Sequence, residues 1–238
     1  MTYTPPMPPR DSIRPEEREA YDRLVHRQTA YGYTEFVKRF IHPEMLRAFP
    51  GTEVQPYFQA LLHSPLIAGC MSDLGVVYRT RGEFPDGMSH SDREWVDMVM
   101  SEELRCNWVL YVHAPDAVAQ GVRVEAILAL LRGRDDLLAA DERMKGDFIR
   151  AVARGTMTRE LYKAVEAMVG GVRACVEFAA FAGHLLKTLR LNQAFGVPDV
   201  TREQLIEFVQ AIADGRVELP DPKARVPVTA PATGAGVK

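Results

Sequence analysis

Cysteine is scarce in this sequence. The 238 residues hold three, Cys70, Cys106 and Cys175, an odd count with no CxxC pair. That argues against a disulfide framework and against a structural zinc site. No uninterrupted apolar run is long enough to span a bilayer. The opening residues, MTYTPPMPPRDSIRPEE, lack the apolar core of a signal peptide. The expectation is therefore a cytoplasmic protein without a membrane partner. Positive charge is not in excess either: 29 Lys and Arg stand against 32 Asp and Glu, a net charge of −3. The electrostatic footprint of a nucleic-acid binder is missing. No stretch alternates apolar and polar residues for long enough to demand a sheet.

What is present is ordinary globular composition, 47% hydrophobic and 26% charged, in a chain long enough to bury a sizeable core. Helical periodicity fills almost everything between two unusual ends. Residues 1–12 are proline-rich and predict an extended arm with polyproline character. Residues 216–238 are rich in Pro, Ala and Gly without apolar periodicity, and predict a flexible tail. The intervening 13–215 reads as one all-α domain. RPEEREAYDRLVHRQTAYG has Pro15 and acidic residues at its start, as a helix N-terminus prefers. TEFVKRFIHPEMLRAF predicts short helical pieces. PYFQALLHSPLIAGCMSDLGVVYRTRG carries a long apolar face broken at Pro65. GEFPDGMSHSD reads as a loop, with Ser91 or Asp92 as the cap of the helix that follows. RVEAILALLRG is amphipathic and ends at Gly133. The stretch from about Leu161 to Leu191 reads as one long helix, apolar on most sides in its second half, and suits a buried or assembly-forming element. Thr201 and Gln204 form a capping box before a last helix.

The segment REWVDMVMSEELRCNWVLYVHAPDAVAQGV, residues 93–122, concentrates chemistry in apolar surroundings. Glu94 lies beside Trp95, Val96 and Val99 and needs a partner if buried; Arg93 points elsewhere on a helix and is not the obvious one. Glu94 and His113 are nineteen positions apart, roughly 28 Å on an unbroken helix. They meet only if the chain turns back, and LRCNW is where it can. Asn107 is a favoured cap, which sets Cys106 at the mouth of a new helix. Cys106 and His113 are two helical turns apart and nearly share a face. Two antiparallel helices would thus bring Glu94 towards both. Cys70 and Cys175 read as core residues.

The same segment resembles the signature of the carboxymuconolactone decarboxylase-like family, which includes the alkylhydroperoxidase D group. The residues that carry the resemblance are Arg93, Glu94, Cys106, Trp108, His113, Ala117 and Gly121, with HSP, LG and Arg79 upstream. It covers about residues 55–135. It implies an all-α fold of the alkylhydroperoxidase D-like type, a homo-oligomer (trimer or hexamer), and a small-molecule substrate. Hydroperoxidase members of the family pair two cysteines, and here the second position is Val109, so Cys106 has no local thiol to resolve its sulfenic acid. Decarboxylase members use acid–base groups, and Glu94 and His113 match those positions.

The expected function is a decarboxylase or lyase acting on a carboxylated or lactone substrate, without metal or organic cofactor. His113 is the expected acid or base, tuned by Glu94. Arg79 matches a family arginine and is expected to hold a substrate carboxylate. His63, Trp108 and Tyr111 are candidate pocket residues. One alternative is a thiol-dependent hydroperoxidase whose Cys106 thiol is acidified by the helix N-terminus and His113. Another is a non-enzymatic helical oligomer.

Overall fold

The computed structural model describes residues 4–30, 54–80 and 86–221, apart from the side chains of 29–30 and 79–80. Among them the fold is all-α, with no strand. Ten helices follow in order: α1 (Arg18–Ala30), α2 (Pro56–Leu61), α3 (Pro65–Thr80), α4 (His90–Glu103), α5 (Asn107–Ala119), α6 (Val124–Leu131), α7 (Ala140–Arg154), α8 (Arg159–Met168), α9 (Val172–Ala194) and α10 (Arg202–Ala213). The helical pieces expected in TEFVKRFIHPEMLRAF lie outside the described residues, as do 222–238 of the expected tail.

Helix α4 is the hub. It packs against α5, α7, α9 and α6, and it is buried on every side from Arg93 to Ser101. An all-round buried helix is normally apolar throughout. This one is not: Arg93, Glu94 and Asp97 are 1%, 0% and 0% exposed. Charged residues are almost never so buried unless paired, so the helix carries a conflict that its neighbours must resolve.

Around α4, the larger core takes Trp95, Met98 and Met100, Leu110 of α5, Ile127 and Leu130 of α6, and Phe148 and Ile149 of α7. Helix α9 adds Phe178, Phe181, Leu185 and Leu189, at helical spacing. Each such side chain is worth about 1.5–3 kcal/mol when fully buried. A second core joins α1, α2 and α3 through Tyr21, Leu24, Leu62 and Ala68, with Leu191 and Phe195 packed against it.

Several local expectations need correction. The 161–191 stretch is two helices, not one, because Gly170 and Gly171 take φ of +103° and +112° and end the first. The apolar line of α9 faces the chain's own core. Helix α4 begins at His90 and not after Ser91: Ser89 is its cap, accepting the amide of Asp92 at 3.1 Å. Cys70 is exposed, not core, whereas Cys175 is buried. The break at Pro65 and the capping box of Thr201 and Gln204 are present.

The N-terminal segment folds back on the same chain. Thr4 Oγ1 donates to the Gly196 carbonyl at 2.9 Å, and Tyr21 Oη donates to that of Pro8 at 2.8 Å. Backbone carbonyls without regular partners are thereby satisfied, which ties down a segment with little apolar content.

Candidate functional site

Helices α4 and α5 are joined by a reversal of three residues. Leu104 and Cys106 donate backbone amides to Met100 and Ser101, closing α4. Arg105 between them adopts φ +54°, the left-handed conformation a tight helix ending demands. Helix α5 then starts with Cys106 as the residue before it and Asn107 as its first. Asn107 is therefore not the cap the sequence suggested.

The cap comes from far along the chain. Asp199, in the loop before α10, accepts the amides of Asn107, at 3.1 Å, and Trp108. Asn107 Nδ2 donates to the Val200 carbonyl at 2.9 Å. A carboxylate is the group that a helix N-terminus stabilises best, so the positive end of α5 is already occupied by an anion.

That decides the state of Cys106. The residue is 4% exposed. Burial, with the charge of Asp199 added, pushes its thiol from an ordinary 9.0 up to about 12. The expected acidification by the helix N-terminus and His113 is overturned: Asp199 takes the amides of Asn107 and Trp108, and the Val109 amide, which does favour the thiolate, is outweighed by burial. His113 is not among the residues that line the crevice beside Cys106, which are Trp108, Asn192, Gln193 and residues 197–199. Along the axis His113 lies about 10 Å further on, at 1.5 Å per residue.

Glu94 and His113 do meet. The hairpin of α4 and α5 sets His113 Nδ1 3.4 Å from Glu94 Oε2 and 3.8 Å from Asp97 Oδ2. The other carboxylate oxygen, Oε1, lies 3.1 Å from His90 Nε2 and 3.5 Å from Arg93 Nη2. Arg93, set aside on sequence grounds, is thus a partner after all. Its second nitrogen, Nη1, donates to the Tyr78 carbonyl near the end of α3 at 2.9 Å. His90 Nε2 is also 3.7 Å from Asp116 Oδ2. Five side chains, His90, Glu94, Asp97, His113 and Asp116, form one cluster with Glu94 at its centre. The His113 side chain is 23% exposed and that of Asp116 32%, so the cluster reaches water from the α5 side while its carboxylate floor is dry.

Three of these were not found by reading the sequence. The signal was there: His90, Glu94 and Asp97 are spaced four and three apart, one face of one helix, and His113 and Asp116 repeat the interval of three. Placing the start of α4 after Ser91 put His90 in a loop and hid the pattern.

The remaining candidates lie elsewhere. His63 Nε2 is 2.9 Å from the Pro6 carbonyl, so its ring meets the N-terminal segment. Trp108 and Tyr111 are buried in a stack: their ring centroids are 6.3 Å apart, and Tyr111 lies 4.0 Å from Phe208 of α10. Tyr111 thereby packs α5 onto α10. The Arg79 side chain lies outside the described residues.

No family model, curated protein or solved structure matches this chain. Among the described residues no helix is long and apolar enough to cross a membrane.

Proposed function

We propose that the chain is a small-molecule enzyme that works by proton transfer at His113. The observation that carries this reading is the water-accessible imidazole backed by two buried carboxylates, with Nδ1 at 3.4 and 3.8 Å from Glu94 and Asp97. Carboxylates facing Nδ1 favour the tautomer that carries its proton there, which leaves Nε2 with the lone pair that takes a substrate proton. The carboxylates also stabilise the imidazolium that forms, the role an acidic partner plays in a catalytic triad. The substrate class, a carboxylated molecule or lactone, rests on the resemblance of residues 93–122, as does assembly into a trimer or hexamer.

The thiol-peroxidase alternative gains no support from the geometry. A nucleophilic thiol must ionise, and Cys106 is held neutral beside an occupied helix terminus.

The test is kinetic. Candidate lactone and carboxylic acid substrates are screened for turnover, then His113→Ala and Cys106→Ser are compared at equal folding. His113→Ala should lower kcat by about 10²–10⁴-fold, and Cys106→Ser should leave most activity. An active His113→Ala enzyme with unchanged kcat would sink the proposal.

A further inference from the structure

Three lysines fall among the described residues, and their surroundings differ. Lys145 Nζ lies 2.6 Å from Asp92 Oδ1, and Lys163 Nζ lies 2.8 Å from Glu166 Oε1. A carboxylate that close holds a lysine as its ammonium, which has no lone pair to react with. Lys187, on α9, has no carboxylate beside it among the described residues. Its polar contact is an imidazole instead: Nζ stands 3.4 Å from His184 Nδ1. The residues one turn away on the same helix are Gly183, His184, Arg190 and Leu191, and none is an acid.

The imidazole is held in place by aromatic rings. It stacks on Phe181, with centroids 6.3 Å apart and planes 15° from parallel, and the Tyr78 ring of α3 stands at 5.3 Å. Phe181 is fully buried, so this wall belongs to the core. For Nδ1 to accept from Lys187, the ring proton must sit on Nε2. Lys187 itself is half-buried. Burial pushes its ammonium below the ordinary 10.5. A lysine that loses water without gaining an ion pair is the kind that serves as a nucleophile or forms Schiff bases.

We propose that Lys187 is a covalent carbonyl-binding site, which adds to a small aldehyde or ketone to form an imine, with His184 carrying the proton. The free amine of Lys187 attacks the carbonyl carbon, and a C–N bond forms as the C=O π pair moves to oxygen. His184 Nδ1 takes a proton from the nitrogen and returns it to that oxygen. The carbinolamine then loses its hydroxyl, with the second nitrogen proton, as water. The product is a neutral imine on Nζ, and nothing is oxidised or reduced. Imine formation in a lysine's apolar surroundings follows the rule for activated amines. The proposal does not rest on proton transfer at His113.

The experiment incubates the full chain with propionaldehyde at neutral pH and traps imines with cyanoborohydride. Peptide mass spectrometry then follows the propyl adduct at each lysine over time. The expected result is that Lys187 is modified ahead of Lys145 and Lys163. His184→Gln should slow the adduct at Lys187 by about 10²-fold, the lower end of what a positioned proton-transfer group contributes. Labelling of Lys145 and Lys163 in the same sample should keep its parent rate, which separates lost proton transfer from lost folding. Lys187→Arg should remove the fast adduct altogether. Equal rates at the three lysines of the parent chain overturn the proposal, and that comparison needs no variant to fold. An unchanged Lys187 rate in His184→Gln overturns it as well. Failure of the kinetic test at His113 would leave these outcomes untouched.

Discussion

Glu94 and His113 stand 3.4 Å apart in space and nineteen residues apart in the chain. The reversal at Arg105 makes this possible, and the contact links the dry centre of the fold to a face of the cluster that meets water. Glu94 is thus both a structural and a chemical residue, and the two roles are separable by substitution.

Glu94→Ala removes the carboxylate that Arg93, His90 and His113 face. Breaking a buried ion pair typically costs about 3–5 kcal/mol, because a charge is left buried without compensation. Urea denaturation should show a loss in that range. Glu94→Gln keeps the shape and should fold better than the Ala variant while losing turnover. Combined with His113→Ala, its kinetic cost should be less than the product of the single losses, since groups acting as a unit are not additive. Multiplicative losses would mean that the two residues act separately.

The three thiols should differ in reactivity. Cys70 is exposed, whereas Cys106 and Cys175 are buried, and burial pushes both of their thiols up. For Cys106, a rise from 9.0 to about 12 lowers the thiolate fraction near pH 8 by about 10³-fold. Native-state labelling with a disulfide reagent should modify Cys70 first and leave Cys106 protected until unfolding. Labelling of Cys106 as fast as Cys70 would contradict both its burial and its protonation.

The helix class was legible in the sequence because apolar residues recur with helical period in nearly every segment. The pairing of Glu94 with His113 was legible because a turn was required between them, and LRCNW supplied one. Three features were not. The cap of α5 is Asp199, more than ninety positions from Asn107, and a contact that distant leaves no local pattern. The partnership of Arg93 with Glu94 contradicts the rule for adjacent helix residues; it arises because Arg93 is drawn inward to the Tyr78 carbonyl. The break at Gly170 and Gly171 lost out to the strong helical periodicity on either side, although paired glycines were its signal.

Those glycines provide a stability test. Gly171 has φ +112° and ψ −171°, a region open essentially to glycine alone. An added Cβ would meet nothing within 4 Å there, so the cost of Gly171→Ala is backbone strain, about 1–3 kcal/mol. Gly183 also has open space around it, but it sits inside α9. Gly183→Ala should stabilise by about 0.4–1 kcal/mol, by restricting the unfolded chain. Thermal melts of the two variants should move in opposite directions. A shared direction would refute the assignment of the break.

Asp199 predicts a pH dependence. Burial holds its carboxyl above the ordinary 3.8, while the amides of Trp108, Val200 and Asn107 pull the other way. The folded chain therefore binds this proton more tightly than the unfolded chain does. The stability it contributes is full below pH about 3.8 and is lost as pH rises through the folded value. Asp199→Asn abolishes that titration. Its stability relative to the parent should thus become more favourable between pH 3.5 and pH 7, a window chosen to bracket the ~3.8 reference. A difference that is flat or of opposite sign would show that the carboxyl is not raised.

The position of Asp199 also bears on the order of assembly. A ribosome delivers residues 90–116, every member of the histidine and carboxylate cluster, long before residue 199 emerges. Until then α5, the helix that presents His113, lacks the carboxylate that accepts its first amides. The chemistry of the hairpin is encoded early but set late, when the segment leading into α10 closes over the start of α5. A nascent chain that pauses between the two would hold all the site's residues without their alignment.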